Sequence, residues 1–147
     1  MADTIIFLEE QPSEHDINAV VNGLVGYNDS QAEPEGAARL VLLLRDGDGT
    51  IRGGLLGYTH WNWLFVSHLW VHESLRGGGL GHKLLARAEA EAAARGCRNA
   101  HVDTFSFQAP GFYESLGYEV FGTLDDYPPG HSRCFLQKRG LRPAEPG

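Results

Sequence analysis

The sequence predicts a mixed α/β (α+β) fold: a mostly antiparallel twisted sheet with helices on both faces and one parallel crossover. Three observations carry this. Two apolar runs in "RLVLLLRDGDGTIRGGLLGYTHW" (Arg39–Trp61) flank Asp46-Gly47-Asp48-Gly49, a strong hairpin signal. Next come the aromatic, β-branched stretch "WLFVSHLWV" (Trp63–Val71), a glycine cluster, an alanine-rich helical run and a further strand "NAHVDTFSF" (Asn99–Phe107). Two strands joined through a helix form a right-handed parallel unit. Finally, the whole order, β-α-β-β-β-α-β-α-β-β, mixes hairpins with that single crossover. At 147 residues and 42% hydrophobic content the chain supports one substantial core, and one domain is expected over residues 1–147.

Each element has a local reason. "TIIFLEE" (Thr4–Glu10) is a short apolar run and reads as a first strand. Ser13 then offers an N-cap to "SEHDINAVVNGLVGYN", where Ile17, Val20, Val21, Leu24 and Val25 recur at helical spacing. "HWNWLF" turns the second hairpin strand into the third. Leu80, Leu84, Leu85, Ala88 and Ala92 form the apolar stripe of the long helix, and Gly96 is its stop. "APGFYESLG" is a short helix ended by Gly117, and "YEVFGTL" and "SRCFLQK" are final strands around "DDYPPGH".

"SLRGGGLGHKLL" (Ser74–Leu85) poses the functional question, with four glycines in five positions between a strand and a helix. Such an order offers unpaired backbone N–H groups and the positive end of a helix dipole, unobstructed by side chains, to an anion such as phosphate. A Walker loop needs Gly-Lys followed by Ser or Thr, whereas Gly81 is followed by His82, Lys83 and Leu84. A dinucleotide fingerprint needs a third glycine where Leu84 stands, although Asp103 imitates its ribose-binding acid. That dinucleotide reading stays as a minor alternative.

Arg76-x-x-Gly79-x-Gly81 after "LWV" resembles the acyl-CoA loop of the GNAT superfamily of N-acetyltransferases. "APGFYESLGYEVFG" resembles that family's second signature, in the same order and at a similar separation. The resemblance spans roughly Leu40 to Lys138. It implies acetyl-CoA as acyl donor, held at its pyrophosphate by backbone amides from Arg76 through His82: Arg76, Gly77, Gly78, Gly79, Leu80, Gly81 and His82. A Cβ at Gly79 or Gly81 would keep phosphate away from those amides, while Gly77 and Gly78 relax the turn. Leu69 and Val71 would offer strand backbone to the pantetheine arm, which requires the strands at Leu69 and Asp103 to splay apart. Tyr113 occupies the family's general-acid position. Many relatives carry Glu where this chain has Ser67, and often Asn where it has Ser106. His131, in a loop stiffened by Pro128 and Pro129, is the candidate base or acceptor ligand. The expected reaction is direct transfer of acetyl to a primary amine in a ternary complex.

Charge and composition narrow the partners. A formal net charge of −7 disfavours a nucleic-acid surface and suits a cationic or neutral acceptor, a small amine or an exposed amino group. No apolar run reaches about 18 residues and no basic leader precedes one, so neither membrane span nor signal is expected, and the default location is cytoplasmic. Cys97 and Cys134 are read as reduced packing residues. No metal site is expected: His68 and His72 on one strand lie roughly 13 Å apart, too far for one zinc. A noncatalytic acyl-CoA sensor is the alternative of a different class, favoured by Ser67 and Ser106 and opposed by Tyr113. The oligomeric state is open, a symmetric homodimer being the commonest soluble assembly.

Overall fold

The structure, a computed structural model, describes residues 3–143. They fall into two units, Met1–Glu35 and Gly36–Gly147, each taken by itself below. In the first, α1 spans Glu14–Gln31. Ser13 caps it as the sequence predicts, its hydroxyl accepting from the Asp16 N–H at 3.1 Å, and Glu14 and Asp16 add favourable charge to the first turn. The expected first strand, Thr4–Glu10, is not formed. An apolar run becomes a strand only when a neighbour takes up its backbone hydrogen bonds, and this segment has no strand partner among the described residues.

The second unit holds a six-stranded sheet. Strands β1 (Ala38–Arg45) and β2 (Ile51–His60) form the expected hairpin, in register from Ala38↔Thr59 to Leu44↔Gly53. Asp46 closes its turn, one carboxylate oxygen accepting from the N–H groups of Asp48 and Thr50 at 3.1 Å each. β2 passes into β3 (Trp63–Val71) through Trp61-Asn62, both at positive φ, 43° and 64°, the geometry of a tight two-residue hairpin turn. After the glycine loop come α2 (Leu80–Ala94), β4 (Asn99–Phe105), α3 (Pro110–Ser115), β5 (Glu119–Asp125) and β6 (Ser132–Arg139). The strand order is β1-β2-β3-β4-β6-β5, and β3–β4 is its one parallel pair.

Packing follows the alternation of the strands. Leu55 of β2, Leu64 and Val66 of β3, and Ala100 and Val102 of β4 are buried, with Leu84, Leu85, Ala88 and Ala92 of α2 in the same cluster. Ala88 and Ala92 carry only a methyl, so the helix approaches the sheet closely there. α3 adjoins α2, Phe112 lying 5.0 Å from the His82 ring. Glu89 ties this layer together, accepting from Lys138 at 2.8 Å and from the Tyr118 hydroxyl at 2.9 Å. The alternate residues of β4 and β6, among them Asp103, Phe105 and Arg133, point to the other face.

Candidate active site

A break in strand pairing creates the site. β3 and β4 pair only from Trp63↔Asn99 to Val66↔Val102. Beyond Val66 the register of β3 against β2 shifts, Gly57 facing Val66 but Leu56 facing His68, which leaves Ser67 as a bulged residue. Bulges bend a strand and add twist. Past this bulge β3 and β4 no longer pair, and a groove of about 1020 Å³ lies between them, lined by β3, the glycine loop, β4 and α3. That volume is at the upper end for a small-molecule site and suits a long ligand.

β3 presents backbone to this groove. The His72 N–H donates to the Arg52 carbonyl at 2.7 Å, so alternation turns Trp70 toward β2 and leaves the N–H groups of Leu69 and Val71 on the open side. The Val71 carbonyl also faces that side, where it accepts from Arg76 Nε at 3.0 Å. Arg76 therefore anchors the loop to the strand that precedes it. His72 caps the short 3-10 turn Glu73–Leu75, its Nδ1 accepting from the Ser74 N–H, which accounts for one of the two strand histidines.

The glycine loop has the character the sequence predicts, with two refinements. Gly77 and Gly79 lie at φ +85° and +80°, the left-handed region that costs a residue with a Cβ about 1 kcal/mol or more. Gly77 is thus a required turn residue, and it lines the groove together with Gly79, Leu80, Gly81 and His82, whereas Gly78 does not. Gly81 is constrained by packing: a Cβ there would meet the Phe112 ring at 3.3 Å. The first intrahelical bond of α2 runs from the Lys83 N–H to the Gly79 carbonyl at 3.1 Å, and the N–H groups of residues 77–82 find no acceptor among the described residues. Unpaired donors at a helix N-terminus, with glycine surfaces beside them, fit a pyrophosphate.

Tyr113 stands at the other side of the groove. Its ring is held edge-on by Phe112 at 5.1 Å and Tyr118 at 5.7 Å. Burial, aided by the charge of Asp103, pushes its hydroxyl up to about 12, so it stays protonated at neutral pH. Two serines have structural bonds: Ser67 Oγ donates to the Leu56 carbonyl at 3.0 Å, and Ser106 Oγ accepts from the Ser132 N–H at 3.0 Å. His131 is not at the groove wall. Its ring lies 5.0 Å from Phe107, which does line the groove. Sequence reading treated Asp103 mainly as a dinucleotide mimic and overlooked Phe107; both line the groove, and Arg133 holds the Asp103 carboxylate at 2.7 Å. Strand alternation at Asp103 was the available signal, but its partner Arg133 is 30 residues away.

Comparison with known proteins agrees with this geometry. The model of the acetyltransferase (GNAT) family matches residues 7–118. A blasticidin-S acetyltransferase of Streptomyces morookaense is 48% identical over 91 residues, covering 61% of this chain and 67% of that protein. An acetyltransferase of Agrobacterium fabrum is 39% identical over 121 residues, 82% of this chain and 88% of its own length. The crystal structure of an acetyltransferase from Bacillus cereus superposes with a TM-score of 0.83 at 34% identity, covering 90% of this chain and 97% of that one. Acetyltransferases of this kind use acetyl-CoA as the acyl donor. With a matching family model over most of its length, the groove and the glycine loop in place, this chain belongs to the GNAT acetyltransferase family.

Proposed function

We propose that this chain is an N-acetyltransferase, one catalytic domain that moves acetyl from acetyl-CoA to a primary amine in a direct ternary complex. The observation that carries the reading is the groove itself: free loop amides at one end, open Leu69 and Val71 N–H groups along one side, and protonated Tyr113 on the wall. Acetyl-CoA supplies an activated thioester. The loop amides of residues 77–82 hold its phosphates, the expected Arg76 N–H being taken instead by the Glu73 carbonyl at 3.3 Å, and the backbone of Leu69 and Val71 bonds the pantetheine arm and polarises the acetyl carbonyl. As the acceptor nitrogen bonds to the acetyl carbon, the carbon–sulfur bond breaks and Tyr113 Oη gives its proton to the departing sulfur. His131, one ring behind Phe107, takes the amine's proton through water.

Neither cysteine lines the groove, which disfavours a covalent route. Cys97 is buried and burial pushes its thiol up, so a thiolate nucleophile is disfavoured there. The Streptomyces relative is named for blasticidin-S, which makes that compound the first acceptor to try. The test follows thiol release from acetyl-CoA across a panel of antibiotics, polyamines, amino acids and peptides, with mass spectrometry of the product. An amide-linked acetyl on one amine is the expected result. Tight acetyl-CoA binding with no acetylated product from any amine would favour the noncatalytic sensor instead.

A further inference from the structure

One wall of the groove, at Asp103 and Phe107, is acidic and aromatic, and the acetyl-donor reading leaves it unused. Asp103, on β4, lines the groove with its side chain 20% exposed. Both of its bonds from Arg133, at 3.0 Å from Nε and 2.7 Å from Nη2, fall on the same oxygen, Oδ1. Oδ2 has no partner among the described residues. Arg133 is fixed in turn: its Nη1 donates to the Tyr127 hydroxyl at 3.0 Å, and its guanidinium lies 5.1 Å from the Tyr127 ring and 5.2 Å from the Phe135 ring. The carboxylate therefore has a fixed orientation and one oxygen to spare.

Beside it runs a ladder of rings. Phe107 stacks on Phe105 at 5.4 Å with planes only 7° apart, and Phe105 stacks on Tyr127 at 5.7 Å and 25°. Phe107, the rung that lines the groove, is 57% exposed. Exposed aromatic surface at the end of a parallel stack favours another flat ring over an aliphatic chain, by up to about tenfold beyond the area buried. The chain's formal charge of −7 favours a cation. Asp103 and Phe107 line the same groove as Tyr113, the proposed proton donor.

Resting on the acetyltransferase reading, we propose that Asp103 and Phe107 form the acceptor subsite, and that the acceptor is a cationic amine carrying a planar unsaturated ring. Oδ2 of Asp103 receives the ammonium group, and the ring lies on Phe107. The subsite is a binding and specificity element, with Arg133 as its positioning residue.

Calorimetry with tryptamine and hexylamine, two singly charged amines of which one has a flat ring, tests this on the chain saturated with coenzyme A and on the free chain. Tryptamine should bind about tenfold more tightly. Phe107→Leu, at an exposed position that keeps apolar bulk, should remove that preference. Asp103→Asn, which keeps an oxygen for Arg133, should weaken both amines alike by about tenfold, with thermal melts confirming that both variants are folded. Equal affinity of the two amines for the wild-type chain, a ring preference that survives Phe107→Leu, or unchanged amine binding in Asp103→Asn would overturn the proposal. Failure of the wild-type chain to bind coenzyme A would instead overturn the acetyltransferase reading, and the free-chain titrations would still decide the subsite.

Discussion

At the scale of single residues, Tyr113 has the sharpest expected behaviour. Tyr113→Phe keeps the ring contacts with Phe112 and Tyr118 and removes only the hydroxyl. Turnover should fall by about 10²-fold to 10⁴-fold with acetyl-CoA affinity nearly unchanged, measured by steady-state kinetics beside calorimetry. Equal losses in both would mark damage to packing. The same hydroxyl sets an alkaline limit on stability. Its value is raised from 10.0 to about 12 by burial, so the folded chain holds this proton more tightly than the unfolded chain. The corresponding stability is present below about pH 10 and is lost as pH rises toward 12, amounting to roughly 2–3 kcal/mol. Denaturant melts between pH 8 and 12 should show this decline, and Tyr113→Phe should show less of it. Tyr118, also raised by burial and by Glu89, contributes in the same direction.

Among the elements, α2 does two things at once: its N-terminus lines the groove and its flank ties the sheet. Gly81→Val tests the first. Blocked phosphate approach alone would mean lost CoA binding with an intact fold. Contact of the added side chain with Phe112, at 3.3 Å for a Cβ alone, predicts a cost of about 1–3 kcal/mol in stability as well, read from the denaturant midpoint. Glu89→Ala tests the second, because it leaves Lys138 and the Tyr118 hydroxyl without their shared carboxylate. With Glu89 13% and Lys138 28% exposed, a loss of about 2–4 kcal/mol is expected, with acetyl-CoA affinity per folded molecule little changed. A midpoint equal to that of the wild type would show that water replaces the carboxylate.

For the whole molecule, ligand binding and stability are linked. Acetyl-CoA at about 100 times its Kd should raise stability by about 2.7 kcal/mol, while NAD at the same concentration leaves the melting curve unmoved. A shift with NAD and none with acetyl-CoA would return the dinucleotide reading. Such selectivity rests on features that were legible at different levels. The sequence by itself determined the β1–β2 hairpin, the glycine-led α2, the parallel crossover and the Tyr113 helix, because turn chemistry, helical periodicity and glycine at positive φ are local properties of a few neighbouring residues. It misplaced Thr4–Glu10 as a strand, since strand formation depends on a partner that no local pattern supplies. Only the tertiary structure decided where β3 leaves β4, through the bulge at Ser67. It also decided that Asp103 meets Arg133 and that His131 stands behind Phe107. Those pairings join β4 to β6 and its preceding loop across the sheet, and register between distant strands is fixed by the packing of the whole core rather than by any one segment.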